Sequence, residues 1–316
     1  MLTIGTRGSQ LALWQANHIS DLLRNAHPGL EVKLEIIKTS GDRIQDRKLY
    51  EVGGKGLFVK EIEEALLDKR IDLAVHSMKD VPGSLPDGLT LAAMTRRASP
   101  YDALITTDGA RLDALPKGAK VGTGSLRRRF QLLKARPDLE VLPIRGNVDT
   151  RLKKLREGVG GLQAIILAVS GLERLGMGDV ISERLRAPRF LPAIGQGALG
   201  LETRLGDRRV LDYLAPLRHM DTEVSVHAER GVLEQLEGDC HLPIACHSTI
   251  ESGEVTVHAR LGLPDGSRMI EGIITGSSAN PAELGRKLGQ RLLDQGGKEL
   301  MVELDEMVAQ DDTQPL

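Results

Sequence analysis

The residues with the most chemical content are cations at strand ends. Arg7, Lys79, Arg127, Arg128, Arg145 and Arg151 each stand at or just past the carboxyl end of a segment that reads as a β-strand. In open α/β sheets ligands bind at that edge, where helix N-termini point N–H groups and positive dipole ends outward. Ser9, Thr123, Gly124, Ser125, Gly146 and Asn147 occupy the same turns and offer hydroxyls and approachable backbone. Arginine grips carboxylates through a planar fork, and lysine acts as a point charge. The pattern points to a cleft for a polyanion, polycarboxylate before phosphate, and neither a G-x-x-x-x-G-K-[ST] nor a G-x-G-x-x-G run is read as pointing to a nucleotide. For any one of these cations the competing reading is a solvated helix face. The run Arg127-Arg128-Arg129 taken alone could also be a nucleic-acid patch.

Asp80 follows Lys79 directly, at an edge where cations otherwise gather. A carboxylate there could receive ligand N–H groups and stabilise a developing cation. A helix cap or an ion pair is the competing reading. Cys240 stands in the loop run Gly238-Asp239-Cys240, where a thiol can be a nucleophile or an attachment point. Cys240-His241 and Cys246-His247 do not have the spacing of a common zinc site, so no metal is expected.

The elements that must position these groups are legible in outline. Strands are expected over 2–5, 32–37 and 71–75, with helices over 11–26, capped by Ser9, and 57–68. A strand over 89–94 follows, then a polar connector over 96–102. A second alternation has a strand ending at 121–125, a helix over 126–136, a strand over 140–144, a helix over 148–157 and a buried strand over 164–169. Two such halves resemble a bilobal anion-binding architecture with ligand between the lobes. The last third reads differently. A helix over 222–236 precedes alternating segments at 248–250, 254–263 and 268–275, separated by hairpin signals, and a helix over 282–294. The expected class is therefore α/β, with two periplasmic-binding-protein-like lobes of mainly parallel sheet and a C-terminal α+β domain with a small antiparallel sheet.

Composition narrows the classes further. The 316 residues exceed one core, and the net charge of −2 excludes a bulk attraction to nucleic acid or membrane. Seven aromatic residues (three Phe, three Tyr, one Trp) are few for a protein that stacks bases. Two cysteines fit a reducing compartment, and the N-terminus has no signal-peptide pattern.

Seven motifs stand in the order found in one family: Thr6-Arg7-Gly8-Ser9-Gln10-Leu11-Ala12-Leu13, Gly53-Gly54-Lys55-Gly56-Leu57-Phe58, His76-Ser77-Met78-Lys79-Asp80-Val81-Pro82, Gly122-Thr123-Gly124-Ser125-Leu126-Arg127-Arg128, Arg145-Gly146-Asn147-Val148, Leu191-Pro192-Ala193-Ile194-Gly195-Gln196-Gly197 and Glu237-Gly238-Asp239-Cys240. Over nearly its whole length the chain resembles the porphobilinogen deaminase family. The resemblance implies a transferase of tetrapyrrole (haem) biosynthesis, hydroxymethylbilane synthase, that joins four porphobilinogens head to tail with loss of ammonia and releases hydroxymethylbilane with water. It implies a dipyrromethane cofactor held by a thioether at Cys240, with Ser77, Lys79, Asp80, Thr123, Ser125, Arg127 and Arg128 around it. Arg7, Ser9, Lys55, Phe58, Arg145, Gly146, Arg151, Arg174 and Gln196 would bind substrate. Asp80 would be catalytic, holding pyrrole N–H groups and stabilising the azafulvene cation left when ammonia departs. The family fold implies a first lobe from 1–95 and 197–215, a second from 100–192, a cofactor-bearing domain over 220–308 and a tail from 309. A cytoplasmic monomer is the expectation, with porphobilinogen its small-molecule partner and neither nucleic acid nor membrane bound. Gly124, where serine is frequent, and Cys246-His247 depart from the family pattern.

Overall fold

The computed structural model describes residues 1–40, 59–236 and 242–311; Lys55, Phe58, Cys240 and His241 lie outside them. Three sheets organise the chain. The first takes β1 (Leu2–Thr6), β2 (Val32–Ile36), β3 (Leu73–Ser77), β4 (Leu89–Met94) and a late strand, β10 (Leu199–Arg204), in the order β2-β1-β3-β10-β4. β1 runs parallel to β2 and β3, and β10 runs antiparallel between β3 and β4. Helix α1 (Gln10–Ala26) begins at Ser9, whose Oγ accepts the Ala12 N–H, and buries Ala16, Ile19 and Leu23 at helical spacing. Helix α2 (Lys60–Leu67) buries Ile62, Ala65 and Leu66 against the same sheet.

The second sheet repeats that topology. Its strands are β5 (Asp102–Thr106), β6 (Lys120–Gly122), β7 (Glu140–Leu142), β8 (Ala164–Ala168) and β9 (Glu183–Leu185), in the order β7-β6-β8-β5-β9. β6 is parallel to β7 and β8, while β5 is antiparallel to β8 and β9. Helices α3 (Leu126–Ala135), α4 (Val148–Arg156) and α5 (Val169–Arg174) follow β6, β7 and β8. After β10 come α6 (Arg208–Leu214) and α7 (Met220–Gln235). The third sheet is the antiparallel meander β11 (Ile244–Glu251), β12 (Glu254–Gly262) and β13 (Met269–Ser277). It shares a core with α7, α8 (Pro281–Leu292) and α9 (Lys298–Asp311). No described helix is long and apolar enough to cross a membrane.

Several expectations need correction. The connector read as polar over 96–102 ends inside a strand, because Asp102 opens β5 and is buried. Only Ala103, Leu104 and Ile105 are apolar there, too short a run to signal a strand buried on both faces. β3 starts at Leu73 and carries His76 and Ser77. Strand β9 and helices α6 and α9 were not among the expected elements, and α9 continues past the expected tail boundary at 309 to Asp311.

The chain crosses from the first sheet to the second between Met94 and Asp102 and returns through 186–198. The crossing segments lie backbone on backbone, with Ala98 N–H donating to Gly197 O at 3.1 Å. A Cβ at Gly197 would stand 2.6 Å from Ala98 O, and its φ is +90°, so only glycine fits this junction.

The first sheet also buries a titratable cluster. His76 Nε2 lies 2.7 Å from Glu202 Oε2 beneath Glu63 of α2. Burial first, and then the Glu202 charge, raise the Glu63 carboxyl from 4.5 to about 7, with His76 opposing. Between those values the folded chain holds a proton that the unfolded chain lacks, so stability falls as pH rises through the window. Glu63→Gln is therefore expected to raise the melting temperature at pH 8 and to change it little near pH 5. Calorimetry at both pH values checks this, and an equal shift at both would contradict it.

Candidate active site

From the first lobe, β1 ends at Thr6, just before Arg7 and Ser9, and β3 ends at Ser77. A single 3₁₀ turn, Met78–Asp80, then presents Lys79 and Asp80. Gln15 of α1 donates from Nε2 to Ser77 Oγ at 2.9 Å, fixing that hydroxyl. Arg7, Ser9, Gln15, His76, Ser77 and Asp80 line one pocket, floored by Val59, Ile62 and Val75. Asp80 is exposed and makes no ion pair among the described residues, so neither of its competing readings is seen there.

From the second lobe, β6 ends in Thr123, whose Oγ1 accepts the Ser125 N–H. Ser125 is the cap position of α3, which places Arg127 and Arg128 in the first helical turn. Neither lies on a solvated face: they are 5% and 7% exposed. Both converge on Asp102. Arg127 Nη1 donates to Oδ2 at 2.8 Å and Nη2 to Oδ1 at 3.3 Å, while Arg128 Nε and Nη2 donate to Oδ1 at 3.0 and 2.7 Å. Gln196 Nε2 adds a bond to the same Oδ1 at 3.0 Å and another to Pro100 O. Burial opposes the Asp102 charge, but the two guanidiniums overrule it and hold the carboxyl far below the usual range. Burial, then Arg128 and Arg127, press the Lys79 ammonium below its ordinary value, with Asp80 and Asp102 opposing.

Arg145 and Gly146 follow β7, and Asn147 caps α4 by accepting the Thr150 N–H. Gly146 O accepts from Arg151 Nε at 2.7 Å. Burial and the nearby Arg128 and Arg145 charges lower Arg151 to about 10. Like charges held this close are favourable only where an anion neutralises them.

Arg174 is placed differently. It ends α5, donates to Gly197 O at 2.8 Å and lies 5.7 Å over the Trp14 ring, which stacks on His18. These contacts join the second lobe to α1 and to the returning crossover. Burial lowers its guanidinium to about 10.

Sequence reasoning missed Asp102, whose signal was hidden with β5, and Gln15, which looked like one polar residue in a helix. It also missed Gly195-Gln196-Gly197-Ala198-Leu199-Gly200, which has the spacing of a dinucleotide fingerprint. That run leads into strand β10 and opens no helix, so it lacks the context the fingerprint needs. Among the described residues no group of three or more His, Cys, Asp or Glu side chains could hold a metal.

Comparison with known proteins bears on this arrangement. The family model "Porphobilinogen deaminase, dipyromethane cofactor binding domain" matches residues 2–212, and "Porphobilinogen deaminase, C-terminal domain" matches 224–294. A porphobilinogen deaminase of Trichlorobacter lovleyi is 52% identical over 300 residues, 95% of each chain. One from Geobacter sulfurreducens is 51% identical over 96% of this chain and 94% of its own. One from Roseiflexus castenholzii is 51% identical over 95% and 98%.

Proposed function

The chain belongs to the porphobilinogen deaminase family, and on that premise we propose how its own residues divide the work. The enzyme is a transferase of tetrapyrrole biosynthesis. It joins four porphobilinogens head to tail, with loss of ammonia at each step, and releases hydroxymethylbilane with water. Its dipyrromethane cofactor, when bound, supplies the pyrrole carbon to which the first substrate is joined. Three cations, Lys79, Arg127 and Arg128, stand about one carboxylate, Asp102, and that surplus of positive charge suits a group bearing several carboxylates.

In this proposal Cys240 carries the cofactor. Lys79, Arg127 and Arg128 hold its acid side chains and those of the pyrroles joined to it, with Ser77, Thr123 and Ser125 adding hydroxyls. Arg7, Ser9, Arg145, Gly146 and Arg151 take the acetate and propionate arms of substrate. Gln196, Lys55 and Phe58 complete the cleft, and Arg174 borders it from the lobe junction. Asp80 accepts pyrrole N–H groups and faces the cation left on the substrate when ammonia departs. Holding both reactants in one cleft replaces a bimolecular encounter by a local one. Residues 1–95 with 197–215 form one lobe, 100–192 the second, and 220–308 the domain that presents Cys240. A cytoplasmic monomer completes the reading.

The observation that carries it is the gathering of cations from both lobes at the strand ends that also present exposed Asp80. Intact-protein mass spectrometry tests it. Protein from cells that make porphobilinogen is expected to exceed its sequence mass by one dipyrromethane, and Cys240→Ser is expected to lack the adduct. An unmodified wild-type mass would defeat the assignment of Cys240.

A further inference from the structure

We propose that Asp102 is a positioning residue that aims the Arg127 and Arg128 guanidiniums at the anionic groups of the bound pyrroles. The inference deepens the reading above and rests on it. Asp102 is the first residue of β5, directly after the outgoing crossover, and is 2% exposed. It occupies three of the five N–H groups of Arg127 together with Leu191 O, and three of the five of Arg128 together with Ile166 O. Both guanidinium planes are thereby held from two directions, and each keeps two N–H groups without a partner among the described residues. Adjacent arginines on one helical turn repel, and without a shared carboxylate they would splay apart.

Gln196 extends the arrangement. It lies in the returning crossover and bonds Asp102 Oδ1, while its own Oε1 is buried with no partner among the described residues. The aim of the arginines is thus tied to the junction between the lobes. Asp102 itself is buried, with both oxygens bonded to the arginines, so it acts through them.

Two roles for this carboxylate predict opposite results. If Asp102 only dilutes positive charge, removing that charge strengthens anion binding: Asp102→Asn would lower KM, and Asp102→Glu would behave as wild type. If Asp102 aims the guanidiniums, both variants misplace them. We expect each to raise KM for porphobilinogen about tenfold or more, one bidentate contact being worth at least that. We also expect a larger cofactor-free fraction in the intact mass spectrum and slower cofactor uptake when cofactor-free chain is given porphobilinogen. Asp102→Glu keeps the charge that the buried guanidiniums need, so it decides the matter should Asp102→Asn fail to fold. Wild-type KM and cofactor content in Asp102→Glu, or a lowered KM in Asp102→Asn, would overturn the proposal. Wild-type chain that neither carries the adduct nor consumes porphobilinogen would instead overturn the functional reading beneath it.

Discussion

Asp80→Ala is expected to fold normally and to lose turnover by about 10²–10³-fold, the usual effect of removing one preorganised electrostatic partner from a developing charge. The two halves of that expectation have separate grounds. Stability should hold because the Asp80 side chain is exposed at the end of the 3₁₀ turn and makes no ion pair among the described residues, while Asp102 remains to offset the Lys79 charge. Substitutions of that kind fall within about ±0.5 kcal/mol. Turnover should fall because Asp80 is the carboxylate that lines the first-lobe pocket beside Arg7 and Ser77. The other carboxylate in the cluster, Asp102, is buried and paired with Arg127 and Arg128, so it cannot substitute for it. Initial rates of porphobilinogen consumption together with a melting curve check both halves. Wild-type consumption by this variant would remove Asp80 from the mechanism.

Glu229→Ala is expected to act on the fold, costing about 3–5 kcal/mol, the range for breaking a buried pair and stranding its partner. Glu229 is fully buried on α7. Its Oε1 accepts Arg97 Nη1 at 2.6 Å and the Ser248 N–H and Oγ–H at 3.0 Å, and its Oε2 accepts Arg97 Nη2 at 3.0 Å and the Gly195 N–H at 2.7 Å. Arg97 belongs to the outgoing crossover and Gly195 to the returning one, so a single carboxylate of the C-terminal third clamps both. Burial opposes its charge, but Arg97 and the surrounding donors hold its carboxyl down from 4.5 to about 2. That difference corresponds to about 3 kcal/mol by linkage. Because the folded value is depressed, the contribution is present above about 4.5 and is lost as pH falls toward about 2. Acid titration of wild type should show destabilisation across that window, and Glu229→Ala should flatten it while lowering the melting temperature by on the order of 10 °C. A variant that melts with wild type at pH 7 would show that the crossovers do not depend on this clamp.

Read alone, the chain disclosed what local chemistry writes into it. Ser9 and Asn147 cap helices through their own side chains, so α1 and α4 begin where short-range reasoning places them. The hairpins of the third sheet follow from Ser252-Gly253 and Pro264-Asp265-Gly266, because turn geometry is decided within a few residues. The cations at strand ends were legible for the same reason: a strand, a turn and a helix start are neighbours in sequence. What these cations face was not legible. Arg127 meets Asp102 across 25 residues, Arg97 meets Glu229 across 132, and Gln15 meets Ser77 across 62. A buried charge must find a counter-charge, and tertiary packing alone decides which distant one lies within hydrogen-bonding reach. Hence Arg127 and Arg128, ambiguous in sequence between a solvated face and a ligand site, proved to be buried and held. Arg174, which the resemblance assigned to substrate, meets Gly197 and Trp14 at the junction of the lobes, contacts no short-range reasoning could supply.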